Sequence, residues 1–324
     1  MLGCVCPHPP LLIPAIGGEN RRRVQATVEA MERLAAETEA VDLTIVISPH
    51  TPGYAKAVAV RSPATLWGDF AAFRCPEVGI EIDNDVEFVD RLLDRAAALD
   101  GLDVEPLDDD QLDHGVLVPL FFLSALRLVN LSVARDYDIH KSLGRLVRET
   151  ADELGRKVLF VASGDLSHRL QPGAPAGFDP RGAEFDAQVV DLLARGDLDG
   201  LSRLDPDLVR GAGECGLRSF ITLGAFLGAE TTPARVLSYE GPFGVGYAVA
   251  AFGETPCPSS RRSMPRRAPS RPRSARPRTR VPASRRSSAG ARLRRRPPTP
   301  STSGSRPVSA RSRSTASCVA ASAP

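Results

Sequence analysis

Leu43-Thr44-Ile45-Val46-Ile47-Ser48-Pro49-His50-Thr51-Pro52 is the stretch whose reading decides the fold. Its first five residues are apolar or β-branched without interruption, as in a strand buried on both faces of a parallel sheet. Pro49 ends the strand because it has no N–H for the ladder, and the residue after it is an imidazole. The arrangement recurs where Met1–Cys6 runs into Pro7-His8-Pro9-Pro10. It recurs again where the run 158–162 enters Ser163-Gly164-Asp165-Leu166-Ser167-His168. Three of the five histidines therefore stand at or just past the end of an apolar strand. Open α/β sheets bind ligands in the crevice beyond the carboxyl ends of their strands, so these imidazoles are expected to converge.

Outward from these strands the spacing becomes helical. Val24, Val28, Met31 and Leu34 predict a helix over about 21–40, capped by Glu19 or Asn20. A strand is predicted at 56–60 and an irregular segment, usable as an active-site lid, at 67–78. A helix is predicted over 84–99 with Asn84 as its cap. The run 116–123 is strongly apolar, 126–133 reads as a strand and 138–154 as an amphipathic helix. Further helices are expected at 184–193 and 215–227. Strands at 236–239 and 245–252 flank Gly241-Pro242-Phe243-Gly244. The alternation predicts an α/β fold: one domain over 1–254, with a mostly parallel or mixed central sheet flanked by helices.

Charge divides the 324 residues into two regions. From Thr255 onward there are 18 Arg and no Lys, Asp or Glu, leaving 23 basic and 39 acidic residues in the first 254. The body is thus −16 and the tail +18. The segment 255–324 is Arg, Ser, Pro and Ala with little to bury, and reads as a disordered tail. Nucleic acid or another acidic surface is reachable only through it; a terminal extension without such a role is the other reading. An acidic body argues against a nucleic-acid-binding fold. The cysteines Cys4, Cys6, Cys75, Cys215, Cys257 and Cys318 form no CxxC pair, so neither a disulfide framework nor a structural zinc site is indicated. No signal-peptide pattern and no run of 18 apolar residues is present, so no membrane association and a cytoplasmic location are expected.

Neutral imidazoles beside a carboxylate suit a non-haem Fe(II) with open positions, and three imidazoles also suit Zn(II). Asp113 and Asp165 stand beside two of the histidines and are candidates for orienting imidazoles. Cys215 would favour softer metals as a thiolate, but reads as a small buried helix residue. Cys4 and Cys6 alternate on a strand and read as core. His140 falls in a predicted helix and reads as a surface residue.

Five motifs occur in order: Pro-His-Pro-Pro at 7–10, Ser-Pro-His-Thr at 48–51, Leu-Asp-His-Gly at 112–115, Ser-Gly-Asp-Leu-Ser-His at 163–168 and Gly-Ala-Gly-Glu at 211–214. Together they resemble the class III (LigB-type) extradiol ring-cleavage dioxygenases, whose fold the Memo proteins share. The resemblance covers the body and none of the tail. It implies that His8, His50 and Glu214 ligate Fe(II), that His168 is the general acid/base, and that His114 contacts substrate or orients the site. Glu240, also at a strand end, is the alternative carboxylate. The implied reaction opens a catechol-like or aminophenol-like aromatic with O₂; one histidine titrating near neutrality can both take and return the protons. A homo-oligomer or a second subunit is a further expectation. Two alternatives stand beside this: a Memo-like metal-binding protein without ring cleavage, and a zinc-dependent hydrolase on the same fold.

Overall fold

A computed structural model describes residues 2–38, 41–228 and 233–253. The tail expected from Thr255 onward lies outside the described residues. The chain begins with β1 (Leu2–Cys6), a one-turn α1 (Pro14–Gly17) and α2 (Gln25–Glu37), followed by β2 (Leu43–Ile47) and β3 (Ala57–Arg61). A hairpin of β4 (Thr65–Phe70) and β5 (Cys75–Asp83) precedes α3 (Val86–Ala96), β6 (Asp103–Leu107) and α4 (His114–Phe122). Then come β7 (Leu128–Leu131), α5 (Tyr137–Glu153) and β8 (Val158–Ser163). The elements α6 (Arg181–Arg195), α7 (Pro206–Ala212), α8 (Leu217–Leu227), β9 (Ala234–Glu240) and β10 (Tyr247–Phe252) complete the described chain.

Eight strands form one mixed sheet in the order β6-β3-β7-β2-β8-β1-β10-β9. The central four, β7, β2, β8 and β1, run parallel, while β3 meets β7 antiparallel and β10 lies antiparallel to β1 and β9. Every residue of β2 is buried because alternate side chains serve two cores. Leu43, Ile45 and Ile47 face α3, α5, α6 and α8, with Phe88, Leu146, Phe185 and Phe220 among their neighbours in that core. Val46, Leu159, Val161, Cys4 and Cys6 face the other core, built on α2, α4 and the hairpin. The result is a three-layer α/β/α domain, the architecture in which both sheet faces must be apolar. Cys4 and Cys6 are core residues, both fully buried.

Several elements differ from the sequence reading for physical reasons. Residues 18–24 form 3₁₀ turns, and the α-helix starts only at Gln25. Helix α3 is capped by Asp85, which accepts from Phe88 N, whereas Asn84 donates to the carbonyls of Arg61 and Pro63. The segment expected to be irregular is the β4–β5 hairpin, with Trp67↔Glu81 in register. Edge strand β6 was hidden by Pro106, which a sheet tolerates only at its margin. Helix α8 begins at Leu217, leaving Cys215 in the turn before it. Among the described residues, no helix is long and apolar enough to cross a membrane.

Candidate metal centre

The strand order puts β8 between β2 and β1, all three parallel, so their carboxyl ends open on one side. His50 follows β2, His8 follows β1, and Asp165 and His168 follow β8. This is the convergence the three strand ends predict.

The hydrogen bonds of His8 assign its tautomer. Ser163 Oγ donates to the Gly115 carbonyl at 2.5 Å, so its lone pair is left to accept from His8 Nδ1–H at 2.9 Å. His8 Nε2 therefore carries the free lone pair. It lies 3.1 Å from His50 Nε2 and 3.7 Å from Cys215 Sγ. The donor atoms of His8, His50 and Cys215 all fall within 4.8 Å of one another. Two imidazoles on one tetrahedral ion, each at about 2.0–2.1 Å, stand roughly 3.3 Å apart, and an imidazole and a thiolate roughly 3.5 Å apart. The donor set fits a transition-metal ion in both spacing and chemistry.

Burial keeps these histidines neutral, the form that ligates. It is the largest cause lowering the His8 pKa far below its ordinary value, followed by the charges of His50, His114 and His168. Burial also lowers His50 against an opposing pull from Asp113. His114 is brought down to about 4, again chiefly by burial and then by His50.

Asp113 caps α4 and ties two histidine loops together. Its Oδ1 accepts from Gly115 N and Ser48 Oγ, both at 2.8 Å, and its Oδ2 accepts from Thr51 Oγ1 at 2.7 Å. Ser48 Oγ in turn accepts from His50 N. The His114 ring lies 4.1 Å from His50 and 5.5 Å from His8 by centroid, outside the three-donor group but against it. Gly115 is required here, since a Cβ would fall 2.3 Å from Ser48 Oγ and 2.9 Å from Asp113 Oδ1. The β4–β5 hairpin covers this side, with Phe73 packed edge-on to His114 at 5.4 Å.

Asp165 holds the opposite side. Its Oδ1 accepts from His8 N at 3.0 Å, its Oδ2 lies 3.8 Å from His8 Nε2, and its own N–H donates to Cys215 Sγ at 3.3 Å. Burial pushes its carboxyl up to about 6. The approach of the Cys215 turn depends on two glycines in backbone contact: a Cβ on Gly164 would fall 2.1 Å from Gly216 Cα.

His168 donates through Nδ1 to the Gly213 carbonyl at 2.9 Å, which frees Nε2 to act as a base. It is half-buried, close enough for its charge to lower the pKa of both His8 and His50. Glu214 is not in the three-donor group. Its Oε2 accepts from Leu217 N at 2.6 Å, and its Oε1 lies 3.6 Å from Arg218 Nη1. Burial raises its pKa against those two partners and His168. Glu240 is engaged elsewhere, accepting from Thr27 N and Thr27 Oγ1 in the first turns of α2.

Two residues need correction. His140 is not on the surface: it is fully buried between α5 and α8, with Nδ1 donating to Thr222 Oγ1 and Nε2 accepting from Ala134 N. Both nitrogens are used, so it is no ligand. Cys215 is buried as expected, but its sulfur is a member of the donor group rather than a helix packing atom. The sequence signal for it was adjacency, because Cys215 follows Glu214 in a Gly-Glu-Cys-Gly turn. Ser163 and Phe73 carried no signal of their own.

A family model described as the catalytic LigB subunit of aromatic ring-opening dioxygenase matches residues 2–250. The protein CA_C1420 of Clostridium acetobutylicum is 32% identical over 258 residues, 75% of this chain and 55% of that protein. A MEMO1 family protein of Methanosarcina barkeri, Mbar_A1422, is 26% identical over 254 residues, 74% of this chain and 79% of that protein. This chain spans about half the length of most curated relatives it matches. Among solved structures, the uncharacterized protein JW3007 from Escherichia coli K12 superposes with a TM-score of 0.52. At 18% identity over 78% of this chain and 100% of that one, it attests the fold.

Proposed function

Because this chain belongs to the LigB family, we propose that it is a metal-dependent protein of the Memo-like kind, binding one transition-metal ion through His8, His50 and Cys215. The observation that supports the reading is Cys215 Sγ at 3.7 Å from His8 Nε2, in the donor group where the resemblance alone implies a carboxylate. Two imidazoles and a thiolate favour copper, zinc or iron over magnesium or calcium. When bound, such an ion supplies Lewis acidity and, if iron or copper, one-electron chemistry. His168, with Nε2 free, takes and returns protons beside it, while Asp165 and Ser163 hold His8 and Asp113 holds the His50 and His114 loops. A reduced Cys215 belongs in a reducing cytoplasm.

A second reading, Fe(II)-dependent opening of a catechol-like aromatic by O₂, is favoured by one observation: His168 has a base-competent nitrogen beside a buried Glu214. It requires Glu214 to leave Leu217 N and turn to the ion. A partner subunit and a small aromatic substrate belong to this reading.

The test is anaerobic reconstitution of the full chain with Fe(II), Cu(I) and Zn(II), followed by metal analysis and oxygen uptake with a catechol panel. One ion per chain, lost in His50→Ala and Cys215→Ala and kept in Glu214→Gln, is expected, without catechol turnover. Metal kept in Cys215→Ala and lost in Glu214→Gln, with catechol-dependent oxygen uptake, would replace the first reading by the second.

A further inference from the structure

Arg61 is among the largest fully buried side chains, 1% exposed at the end of β3, and no step above uses it. Burying a guanidinium is costly, and a paired ion in the interior is a weak source of stability compared with apolar packing. Its contacts suggest what it does instead. Nη1 donates to the Asp109 carbonyl at 2.7 Å and pairs with Asp109 Oδ2 at 2.8 Å; Nε donates to Asn130 Oδ1 at 2.8 Å.

An arginine has only donors, so Arg61 fixes that atom of Asn130 as the amide oxygen. The Val46 carbonyl, accepting from Asn130 Nδ2 at 3.1 Å, fixes the other end. Asn130 Nδ2 then donates to Thr51 Oγ1 at 3.1 Å, and the Thr51 hydroxyl proton goes to Asp113 Oδ2 at 2.7 Å. Thr51 Oγ1 also lies 3.2 Å from Asn130 Oδ1, but the nearer, anionic Asp113 Oδ2 is the stronger acceptor and takes the hydroxyl proton, which leaves the chain one direction. Asp113 is the end of the line, and it is the carboxylate that binds Gly115 N beside His114 and Ser48 Oγ beside His50.

We propose that Arg61, Asn130 and Thr51 are positioning residues, a one-way hydrogen-bond relay that holds Asp113 and so sets the His50 and His114 loops for metal binding. The proposal rests on the metal-centre reading above. Partners that orient ligands in this way typically account for roughly 10–100-fold in metal affinity.

The probe is Co(II), titrated into full-length protein under reducing conditions and read by its visible d–d and thiolate charge-transfer bands. Thr51→Val keeps the side chain's shape and removes its hydroxyl; Thr51→Ser keeps the hydroxyl. We expect Thr51→Val to weaken Co(II) binding by roughly 10–100-fold with altered bands, and Thr51→Ser to match wild type. Arg61→Lys, which keeps the charge toward Asp109 but not the Nε–H, should weaken binding too. In combination with Thr51→Val it should add nothing, because residues of one relay are not additive. Wild-type affinity and spectrum in Thr51→Val, or additive losses in the double variant, would refute the relay alone. Equal Co(II) binding by wild type and His50→Ala would refute the metal centre and the relay with it.

Discussion

Acidification provides a sharp test of how His140 is buried. In the native chain burial, the largest cause, lowers its pKa from 6.5 to about 4, and its two ring nitrogens are committed to Thr222 and Ala134. The folded value lies below the unfolded one, so between them the unfolded chain takes up the proton and the native chain does not. The contribution is fully present above pH 6.5 and is lost as pH falls through 4. The gap between the two values sets a limit of about 3 kcal/mol, most of which is lost by pH 4.5. The assay is urea unfolding followed by circular dichroism at steps from pH 7.5 to 4.5, with a chelator present. His140→Gln, which cannot titrate, is run in parallel. Asp165 and Asp186, both raised to about 6, titrate in both proteins and cancel in the difference. The stability of wild type relative to the variant should fall by about 2–3 kcal/mol across this range. A difference independent of pH would refute the buried, neutral assignment of His140.

Three further outcomes follow from close contacts. Gly164→Ala drives a Cβ to 2.1 Å from Gly216 Cα, backbone against backbone. It should cost more than the roughly 1–3 kcal/mol of ordinary overpacking, read as a fall in urea midpoint or loss of soluble protein; near-wild-type stability would contradict the contact. Gly115→Ala pushes on Ser48 Oγ and Asp113 Oδ1, so it should weaken Co(II) binding more than it lowers the urea midpoint; unchanged Co(II) affinity would refute the part given to that turn. Tyr239→Phe removes the hydroxyl that donates to Asp186 Oδ2 at 2.8 Å. It should cost about 1.5–3 kcal/mol in urea unfolding at pH 8 and less at pH 5, below the value of about 6 to which burial raises Asp186; a loss independent of pH would show that the pair does not depend on the charge of Asp186.

The site was legible in the sequence wherever a strand ended on a histidine, because the parallel central strands carry such residues to one edge. The strand Leu43–Ile47 is found with its expected bounds, and His8 and His50 meet at the carboxyl ends with His168 near enough to act on both electrostatically. Elements governed by distant partners were less legible. Helix α4 is apolar on every side, so its period does not show; Gly115–Leu120 are all buried, while Phe121 stays exposed. Strand β5 did carry a signal, Val78, Ile80 and Ile82 alternating with Glu77, Gly79 and Glu81, obscured by Pro76 and the short loop before it. His140 sits in the helix its spacing predicts, but only the approach of α8, with Gly144 against the Thr222 carbonyl, buries it.

The choice between Glu214 and Cys215 could not be read from the sequence, since neighbours in a turn face different ways and either could face the ion. The structure shows why the two side chains point to different places. Gly213, at φ +62°, ends α7, and the Gly164–Gly216 contact draws the turn onto Asp165 so that the thiol meets His8. Glu214 is thereby turned to the start of α8, where a carboxylate is favoured by the free N–H groups and the helix dipole. Moving it to an ion would forfeit a charge-assisted hydrogen bond worth about 1.5–3 kcal/mol and leave Arg218 without its i−4 partner. Glu214→Gln therefore separates the two roles. Its amide oxygen still accepts from Leu217 N, so α8 keeps its first turn, while the anionic ligand is gone. A metal stoichiometry unchanged by that substitution would then speak to ligation itself and not to the start of the helix.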